Sequence, residues 1–351
     1  MVRILRFYLL ILFGNMNRNS LEAYLKKITT KQITQKSNEK VASELREKLA
    51  DAVKRNSADA LLLSGGLDSS ILAYLNSKVK AITVGLENAE DFIFAESIAK
   101  ELKLKLYKHV INVEEAIEAL PEVIRVEKTF NPALPNDVII YFGLKYAKGL
   151  GAKSVMTGDG ADELFAGYDY MLKFSPPDLD KYIRKLSQKM YFSSNTLGDF
   201  FGLKIEQPYL DKEFKEFAVE IPPEQKVTSH FDRKFGKQIL REAFKNDLSF
   251  GNVWRKKLPI ELGSGLTKPL EEYISSKVSD EEFRGANPTY RIHFVNKQHL
   301  FYYKIYRKEV GKIPLAKKGE MICEWCGAGI PQQFYHCRTC GYTLPPEEIL
   351  K

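Results

Sequence analysis

The sequence predicts an α/β protein with a parallel sheet, followed by a mostly helical second half and a small cysteine-rich C-terminal piece. Short apolar runs alternate with amphipathic helical segments between residues 38 and 157. Helical patterns dominate residues 171–318, and every cysteine lies beyond residue 322. Strands that alternate with helices are typical of βαβ units, which build parallel sheets with helices on both faces.

The first half supplies the elements of that sheet. A helix over about residues 38–55 is predicted by apolar residues that recur every four positions: Val41, Leu45, Leu49 and Val53. Four segments of strand length follow, separated by helical segments: "ADALLLS", "AITVGL", "KLYKHVI" and "AKSVMTG". We expect strands to end at Ser64, near Leu86 and at Thr157, and open parallel sheets bind ligands beyond such ends.

Composition and the N-terminus limit the possible classes of protein. The formal net charge of +8 is compatible with nucleic acid or with a polyanionic substrate, and decides little. The apolar run in "MVRILRFYLLILFG" is too short to span a bilayer and lacks a cleavage site. Residues 1–15 are either a mis-set start before Met16 or a real N-terminal element, with a weak anchor a third alternative. We expect a cytoplasmic protein with no stable membrane partner.

The stretch "LLLSGGLDSS" predicts an anion site. A strand that ends in Ser64-Gly65-Gly66 and continues as a helix directs backbone N–H groups and the positive helix end at an anion. The lysine that ends the common phosphate loop is missing. Asp68 would repel a bare phosphate, so it fits this loop only if a divalent metal ion lies between them. The alternative is a plain strand-to-helix turn with an incidental aspartate.

A second strand end also carries carboxylates. "VMTGDGADELFAGY" follows the fourth segment of strand length and places Asp159, Asp162 and Glu163 among glycines. Carboxylate oxygens are the ligands that Mg²⁺ prefers in proteins. Two strand-end loops, each offering a carboxylate, could hold one Mg²⁺ that bridges phosphate oxygens.

The two motifs resemble the signatures of a known superfamily. "SGGLDSS" is similar to the pyrophosphate-binding loop of the ATP-pyrophosphatase (PP-loop) superfamily, and "TGDGADELFAGY" is similar to the second signature of its asparagine synthetase branch. Further similar segments follow in the family's order: "NPALPNDVIIYFGLKYAKGLGAKSV", "GLKIEQPYLDKEFKEFAVEIPPEQKV", "KQILREAF" and "WRKKLPIELGSG". The resemblance covers about residues 41–270 and implies a Rossmann-like, adenine nucleotide alpha hydrolase-like fold.

The resemblance implies an ATP site at the strand ends, with Asp68 and Asp162 as Mg²⁺ ligands. The implied cradle of the leaving pyrophosphate is Ser64, Gly65, Gly66 and Ser69. The implied lining of the adenosine pocket is the backbone of Leu63, Val84, Thr157 and Gly158.

The resemblance also implies catalytic residues. Lys257 falls on the lysine that meets negative charge on the acyl-adenylate and on the tetrahedral intermediate. Asp159 matches a position where glutamine-dependent asparagine synthetases often have Glu, and a carboxylate there could accept a proton from the attacking amine. Glu163, in the same signature, completes the predicted catalytic set.

One departure from the family concerns the nitrogen source. Glutamine-dependent members begin with a glutaminase domain whose first residue is a nucleophilic cysteine. Here no cysteine precedes Cys323, so we expect no glutamine hydrolysis by this chain. The nitrogen would come from free ammonia, from a separate ammonia-supplying subunit or from an amine substrate.

The C-terminal stretch "CEWCGAGIPQQFYHCRTCG" has the spacing of a zinc ribbon. Two C-x₂-C pairs, each followed by glycine, offer four thiolates to one tetrahedral Zn²⁺: Cys323, Cys326, Cys337 and Cys340. Such a site is closed and structural, with no open position for catalysis. A redox pair or an iron–sulfur cluster is the alternative, and His336 is expected to be a neighbour of the metal.

Basic residues interleave with aromatic ones over residues 291–318, just before the ribbon. This pattern suits RNA, through phosphate pairing and base stacking. The alternative is a helix whose tyrosines pack inward while its lysines are solvated.

The predicted domains are an N-terminal segment (1–37), an asparagine synthetase-like ATP-pyrophosphatase domain (38–318, mostly helical over 171–318) and a zinc ribbon (319–345). We expect an ATP- and Mg²⁺-dependent enzyme that adenylates a carboxylate, releases pyrophosphate and forms an amide with ammonia or an amine. The alternative is an enzyme that applies the same adenylation to tRNA or another RNA. A third hypothesis is an interaction module with a degenerate nucleotide site, and the intact Asp68, Asp162 and Lys257 argue against it.

Overall fold

The computed structural model describes residues 38–230 and 233–350. The predictions about segment 1–37 therefore lie outside the described residues. Five strands form one sheet: β1 (Ala60–Leu62), β2 (Lys80–Gly85), β3 (Leu106–Val110), β4 (Ser154–Met156) and β5 (Lys204–Glu206). Their order is β3-β2-β1-β4-β5, and every neighbouring pair is parallel. The predicted parallel α/β fold is confirmed.

Helices connect these strands and continue into the second half of the chain. The first six are α1 (38–55), α2 (Leu67–Leu75), α3 (Glu90–Glu101), α4 (Val113–Glu127), α5 (Leu134–Gly149) and α6 (Ala161–Leu164). The next six are α7 (Pro176–Gln188), α8 (Ser193–Phe201), α9 (Lys212–Glu220), α10 (Pro223–Lys226), α11 (Gln238–Phe244) and α12 (Phe250–Val253). The last large group is α13 (Ile260–Gly263), α14 (Thr267–Lys277), α15 (Asp280–Tyr290) and α16 (Lys297–Glu309). A hairpin of β6 (Thr228–His230) and β7 (Arg233–Phe235) precedes α11.

Both faces of the sheet are covered, as the apolar strand sequences predict. Successive side chains of a strand point to opposite faces, and Ala60 and Leu62 pack in one apolar cluster while Leu61 and Leu63 pack in another. A strand buried on both sides has to be apolar at every position. The continuous run in β1 follows from that requirement.

The order of the strands creates a binding crevice. After β1 the chain adds β2 and β3 on one side, and β4 and β5 then extend the sheet on the other. The loops that leave β1 and β4 therefore diverge at the carboxyl edge of the sheet. In open α/β sheets this switch point is where ligands bind.

The fifth strand was not predicted. β5 has three residues, and two of them, Lys204 and Glu206, are charged. It lies at the edge of the sheet and pairs only with β4. Because an edge strand this short needs no apolar run, the sequence gives no strand signal there.

The basic and aromatic stretch before the ribbon forms α16, with its tyrosines facing inward. Tyr302, Tyr303 and Tyr306 are at most 4% exposed and belong to the main apolar cluster. Buried rings are not accessible for stacking on bases. The packed-helix alternative is therefore favoured for this segment.

The C-terminal piece packs on the main body near the end of α4. Its hairpin pairs β8 (Glu320–Ile322) with β9 (Gly329–Pro331), and α17 (Pro346–Leu350) follows. The amide of Phe130 donates to the carbonyl of Thr339 at 2.8 Å, and the amide of His293 donates to the carbonyl of Trp325 at 2.9 Å. Within the described residues, no helix is both long and apolar enough to cross a membrane.

A cluster of polar and charged side chains connects α1 to the second half of the chain. The guanidinium of Arg46 donates to both carboxylate oxygens of Asp247, and the hydroxyl of Tyr74 donates to Asp247 Oδ1 at 2.7 Å. The hydrogen bond from Arg46 holds the pKa of Asp247 below its ordinary value.

Replacement of Asp247 by Asn is expected to lower the free energy of unfolding by about 2 kcal/mol at neutral pH, because it removes a charged acceptor. A carboxyl with a depressed pKa stabilises the fold above its unfolded pKa, about 3.9, and this contribution is lost as the pH falls through the folded pKa. The difference between wild type and variant should therefore shrink below about pH 4. Urea unfolding at pH 7 and at decreasing acidic pH measures it. Glu47→Gln, exposed on the same helix, is the control, and an equal effect of the two variants would contradict the assignment.

Candidate active site

A cavity of about 1270 Å³ opens at the carboxyl edge of the sheet, where the loops after β1 and β4 diverge. Ligand pockets commonly measure about 300–1000 Å³, so this one has room for more than one ligand. Of the predicted site residues outside the ribbon, every one except Gly65 lines it: Leu63, Ser64, Gly66, Asp68, Ser69, Val84, Thr157, Gly158, Asp159, Asp162, Glu163 and Lys257.

The loop after β1 requires its glycines. Gly65 has φ +69°, and a Cβ at that position would lie 2.4 Å from the backbone carbonyl carbon of Phe94. Gly66 is the N-cap of α2 and supplies no side-chain cap. The Oγ atoms of Ser64 and Ser69 lie 3.3 Å apart beside that helix end. The loop therefore presents hydroxyls and uncapped N–H groups to the cavity, which suits a phosphate.

The loop after β4 comes close to the first loop. A Cβ added to Gly158 would lie 3.3 Å from the Cβ of Asp68. Gly160, with φ +91°, then turns the chain into α6, whose first turn carries Asp162 and Glu163. The close approach brings the two predicted metal-binding aspartates to the same point of the crevice.

Two lysines neutralise these aspartates. Lys237 Nζ lies 2.5 Å from Asp68 Oδ2 and 2.6 Å from Asp162 Oδ1. Lys257 Nζ lies 2.6 Å from Asp162 Oδ2. Burial alone would raise the pKa of Asp162, but the two ammonium groups outweigh it and hold that pKa well below its ordinary value. The pKa of Lys257 is raised above its ordinary value by Asp162 and Asp68, although burial opposes the shift.

Lys237, which contacts both predicted metal-binding aspartates, was not predicted as a site residue. It follows the β6–β7 hairpin in a left-handed conformation (φ 60°), and its amide donates to the carbonyl of Phe165 at 2.8 Å. Gly236, before it, has no room for a Cβ, which would lie 1.8 Å from the carbonyl oxygen of Ala166. Lys237 opens the segment "KQILREAF", so the family resemblance marked the segment but assigned the lysine no role.

Replacement of Lys237 by Met is expected to lower the free energy of unfolding by about 3 to 5 kcal/mol, because it leaves Asp68 without its cation and Asp162 with Lys257 alone. Part of this loss should return when Mg²⁺ is added, since the ion supplies the missing positive charge. Denaturant unfolding with EDTA and with Mg²⁺ measures both effects. Lys212→Met, an exposed lysine, should change the stability by less than about 0.5 kcal/mol. A loss of the same size in both variants would contradict the role of Lys237.

Asp159 is held in one orientation by three donors to a single oxygen. The hydroxyls of Thr157 and Ser194 each donate to its Oδ2 at 2.6 Å, and the side-chain amide of Gln207 donates to the same atom at 2.9 Å. Its carboxylate is therefore fixed beside the strand end, with Oδ2 already serving three hydrogen bonds.

Glu163 lies next to Asp162 in the first turn of α6. Burial, and then the charge of Asp162, raise its pKa to about 7. The hydroxyl of Tyr168 donates to its Oε1 at 2.6 Å. A carboxyl that titrates near neutral pH is suited to exchange protons during catalysis.

Arg255 contacts the backbone of the loop after β1. Its guanidinium donates to the carbonyl of Ser64 at 2.9 Å and to the carboxylate of Asp91 at 2.8 Å. Burial raises the pKa of Asp91 to about 6, against the effect of this ion pair. Arg255 is thus a positioning residue for the loop that carries Asp68.

The donors at the crevice fit Mg²⁺. Asp68 Oδ1 is buried and makes no hydrogen bond, and Asp162 lies opposite it across the Lys237 ammonium. A buried carboxylate oxygen without a partner is costly. Hard oxygen donors of this kind are the ones that Mg²⁺ takes together with phosphate oxygens.

The four cysteines of the C-terminal piece form one cluster, and all are buried. Their Sγ atoms lie within 4.8 Å of one another, with Cys323–Cys340 at 3.5 Å and Cys326–Cys337 at 3.7 Å. Four sulfurs at Zn–S distances of about 2.3 Å stand about 3.8 Å apart in a tetrahedron. The cluster therefore has the dimensions of a zinc site, and His336 is not part of it.

The same piece forms one wall of the cavity, which the cysteine spacing did not reveal. His336 and Arg338 line the cavity together with the strand-end loops. The guanidinium carbon of Arg338 lies 3.6 Å from the centre of the Tyr191 ring. Loss of the piece would leave this side of the cavity open.

The sequence is similar to those of known proteins. The sequence model of the asparagine synthase family matches residues 44–195 and 181–314. The probable glutamine-hydrolyzing asparagine synthetase of Dictyostelium discoideum is 30% identical over 260 residues, which cover 64% of this chain and 46% of that protein. Asparagine synthetase B of Escherichia coli is 28% identical over 282 residues, covering 73% and 50%. The human glutamine-hydrolyzing asparagine synthetase is 28% identical over 267 residues, covering 69% and 47%.

The chain thus spans about half the length of these relatives. Among solved structures, NMN synthetase from Francisella tularensis aligns over 80% of this chain and 98% of its own, with a TM-score of 0.35 and 16% identity.

Proposed function

Because this chain belongs to the asparagine synthase family, we propose that it is an ATP- and Mg²⁺-dependent synthetase that adenylates a carboxylate and converts it to an amide. The observation that carries the proposal is the pairing of Asp68 and Asp162 around one lysine ammonium, beside the uncapped N-terminus of α2. This arrangement suits a nucleotide whose phosphates are gripped at the strand ends.

ATP would lie along the switch point of the sheet. Ser64, Gly65, Gly66 and Ser69 are proposed to hold the pyrophosphate portion through hydroxyls and backbone N–H groups. Leu63, Val84, Thr157 and Gly158 are proposed to line the adenosine pocket, as their position along the cavity supports. Mg²⁺, held by Asp68 and Asp162, would neutralise the phosphate charge and favour departure of pyrophosphate.

In the first half-reaction, a carboxylate oxygen of the substrate attacks the α-phosphorus of ATP. The new O–P bond forms as the bond to the bridging oxygen of the β-phosphate breaks, and pyrophosphate leaves with the electron pair. Lys237 and Lys257 supply positive charge beside Asp162, where negative charge grows on the phosphates and the acyl group.

In the second half-reaction, a nitrogen nucleophile attacks the acyl carbon. The C–N bond forms, the bond to AMP breaks, and one proton leaves the nitrogen. Asp159 and Glu163 are the proposed acceptors of that proton: Asp159 is fixed in orientation by its three donors, and Glu163 has a pKa of about 7. Lys257 is proposed to stabilise the tetrahedral intermediate.

The nitrogen donor is proposed to be ammonia or an amine, delivered free or by a separate subunit. No cysteine occurs among residues 1–322 to act as the nucleophile of glutamine hydrolysis.

Zn²⁺ in the ribbon is proposed to be structural. Four clustered cysteines without disulfides suit a reducing compartment, and we assign the protein to the cytoplasm. The RNA alternative is less well supported, because the tyrosines of α16 are buried and are not accessible for stacking on bases.

Exchange of radiolabelled pyrophosphate into ATP, measured across a panel of carboxylates with Mg²⁺, tests the proposal. We expect exchange that depends on one class of carboxylate and on the metal. Exchange with aspartate alone would support a small-molecule asparagine synthetase, whereas exchange seen only with tRNA would sink that hypothesis. Exchange of pyrophosphate into ATP in the absence of any carboxylate would refute the adenylation of a carboxylate.

A further inference from the structure

The cavity continues past the strand-end loops to the ribbon, and the function proposed above assigns no ligand to that end. Four side chains line that end of the cavity: Glu127 from α4, Asp137 from α5, Tyr191 from the segment before α8, and Arg338 from the ribbon. We call this region the ribbon-side pocket. Two of its four side chains are carboxylic acids, in a cavity whose other end is occupied by phosphate-binding groups.

Glu127 has an unused acceptor atom. It is the last residue of α4 and is 7% exposed. Its Oε2 accepts a hydrogen bond from the hydroxyl of Tyr191, whereas its Oε1 is buried without a hydrogen-bond partner. Burial raises the pKa of this carboxyl to about 7. An orphaned carboxylate oxygen on a cavity wall is expensive unless a ligand brings the missing donor.

A second carboxyl lies within electrostatic range. Burial raises the pKa of Asp137 to about 7, a hydrogen bond from Ser193 opposes the shift, and the charges of Glu127 and Glu261 add to it. A bound cation would favour the charged form of an acid whose pKa is raised by a neighbouring carboxylate in this way.

The ribbon-side pocket is connected to the proposed reaction centre through α8. Ser193 and Ser194 both line the cavity, and Ser194 donates to Asp159 Oδ2 at 2.6 Å. Glu127 and Asp137 line the same cavity as Asp159, the carboxylate proposed to accept a proton from the nitrogen nucleophile. A group bound there would belong to one of the two reacting substrates.

The ribbon closes the pocket and limits what it can bind. Arg338 stacks on Tyr191, and Tyr191 in turn holds Glu127. With Oε2 occupied and a guanidinium nearby, the site offers one free glutamate oxygen and a modest negative charge. Those properties suit a singly charged N–H donor better than a divalent metal ion, which needs several oxygen ligands.

We propose that the ribbon-side pocket binds the ammonium group of a substrate, with Glu127 Oε1 as its main acceptor and Asp137 as the second carboxylate. This inference rests on the proposed function, because that reaction requires a nitrogen-bearing substrate in the same cavity. The ammonium group belongs either to the carboxylate substrate, as in an α-amino acid, or to the attacking amine. Arg338 acts as a positioning residue that holds Tyr191 in place.

Calorimetric titration of the full zinc-containing chain tests the inference, with probes paired by the presence of an ammonium group. L-Aspartate is compared with succinate, 1,4-diaminobutane with 1,4-butanediol, and ammonium chloride with potassium chloride. We expect wild-type protein to prefer the ammonium member of at least one pair by about tenfold or more, and Glu127→Gln to weaken that preference by about 10- to 100-fold. Glu118→Gln, exposed on the same helix, should retain it.

The pair that is discriminated identifies the substrate that carries the ammonium group. A preference for L-aspartate assigns it to the acid, and a preference for 1,4-diaminobutane or ammonium assigns it to the nucleophile. The inference is overturned if wild type discriminates no pair, or if the preference survives in Glu127→Gln; circular dichroism verifies that the variant is folded, and Asp137→Asn provides a second variant. Pyrophosphate exchange is measured separately, so that exchange without ammonium preference refutes only this inference. Failure of exchange with every carboxylate refutes the proposed function instead.

Discussion

Replacement of Asp68 by Asn is expected to lower the rate of ATP–pyrophosphate exchange by about 100- to 1000-fold, the usual cost of losing one preorganised electrostatic group. The carboxylate is one of two that face each other across Lys237, and an amide cannot supply the negative charge that Mg²⁺ needs. Asp162→Asn should be at least as damaging, because Asp162 also pairs with Lys257. The exchange rate is measured at saturating ATP and Mg²⁺.

The control is Asp199→Asn, an exposed aspartate on α8 that does not line the cavity. Its exchange rate should stay within about twofold of wild type, as is usual for surface positions. Circular dichroism shows whether each variant is folded. Wild-type exchange in both Asp68→Asn and Asp162→Asn would refute the assignment of the metal site.

Replacement of Cys337 by Ser is expected to remove zinc from the protein, from about one ion per chain to near zero. Structural zinc sites contribute about 10–16 kcal/mol of apparent binding free energy at neutral pH, which becomes folding free energy for the piece they hold. The ribbon should then detach, and hydrogen exchange at the amide of Phe130, which bonds to Thr339, should accelerate.

Metal content by mass spectrometry and hydrogen exchange at Phe130 test this result together. His336→Asn is the matched control, since His336 is adjacent to Cys337 but outside the sulfur cluster, and it should retain the zinc. Zinc retained at full occupancy by Cys337→Ser, or iron found in its place in the wild type, would contradict a four-thiolate zinc site.

The sheet could be predicted because both of its faces are buried. A strand such as β1 has to be apolar at every position, and this leaves a clear run in the sequence, bounded by Gly65 and Gly66. The edge strand β5 left no such run, because it has three residues and two of them, Lys204 and Glu206, form an ion pair with each other. β1 could be predicted because it is buried on both faces, and β5 could not because it is a short edge strand.

The strand-end loops could be predicted to converge, since the carboxyl ends of parallel strands meet at one edge of the sheet. The position of Lys237 could not, because it reaches Asp68 from 169 residues away by way of a hairpin and a left-handed residue. The spacing of apolar residues along the sequence does not indicate a contact between residues so far apart. The chemical roles of the predicted site residues, and the domain boundaries, stay predictions.

The docking of the ribbon is a third case. Cysteine spacing predicted the sulfur cluster because two knuckles with closing glycines have a fixed local geometry. Gly327 and Gly341 each take positive φ and donate to the first cysteine of their pair at 2.8 Å. The surface that receives the ribbon is formed by residues far away in the sequence, such as Phe130 and His293. The contribution of the ribbon to the cavity wall could therefore be seen only in the folded structure.

In the proposed reaction, ATP is cleaved between the α and β phosphates in order to activate a carboxylate. Incubation with α-labelled ATP, Mg²⁺, the carboxylate that supports exchange and ammonium chloride, followed by separation of the nucleotides, tests it directly. We expect AMP and pyrophosphate to form in equal amounts with the amide. Formation of ADP and inorganic phosphate in step with the amide would contradict the account.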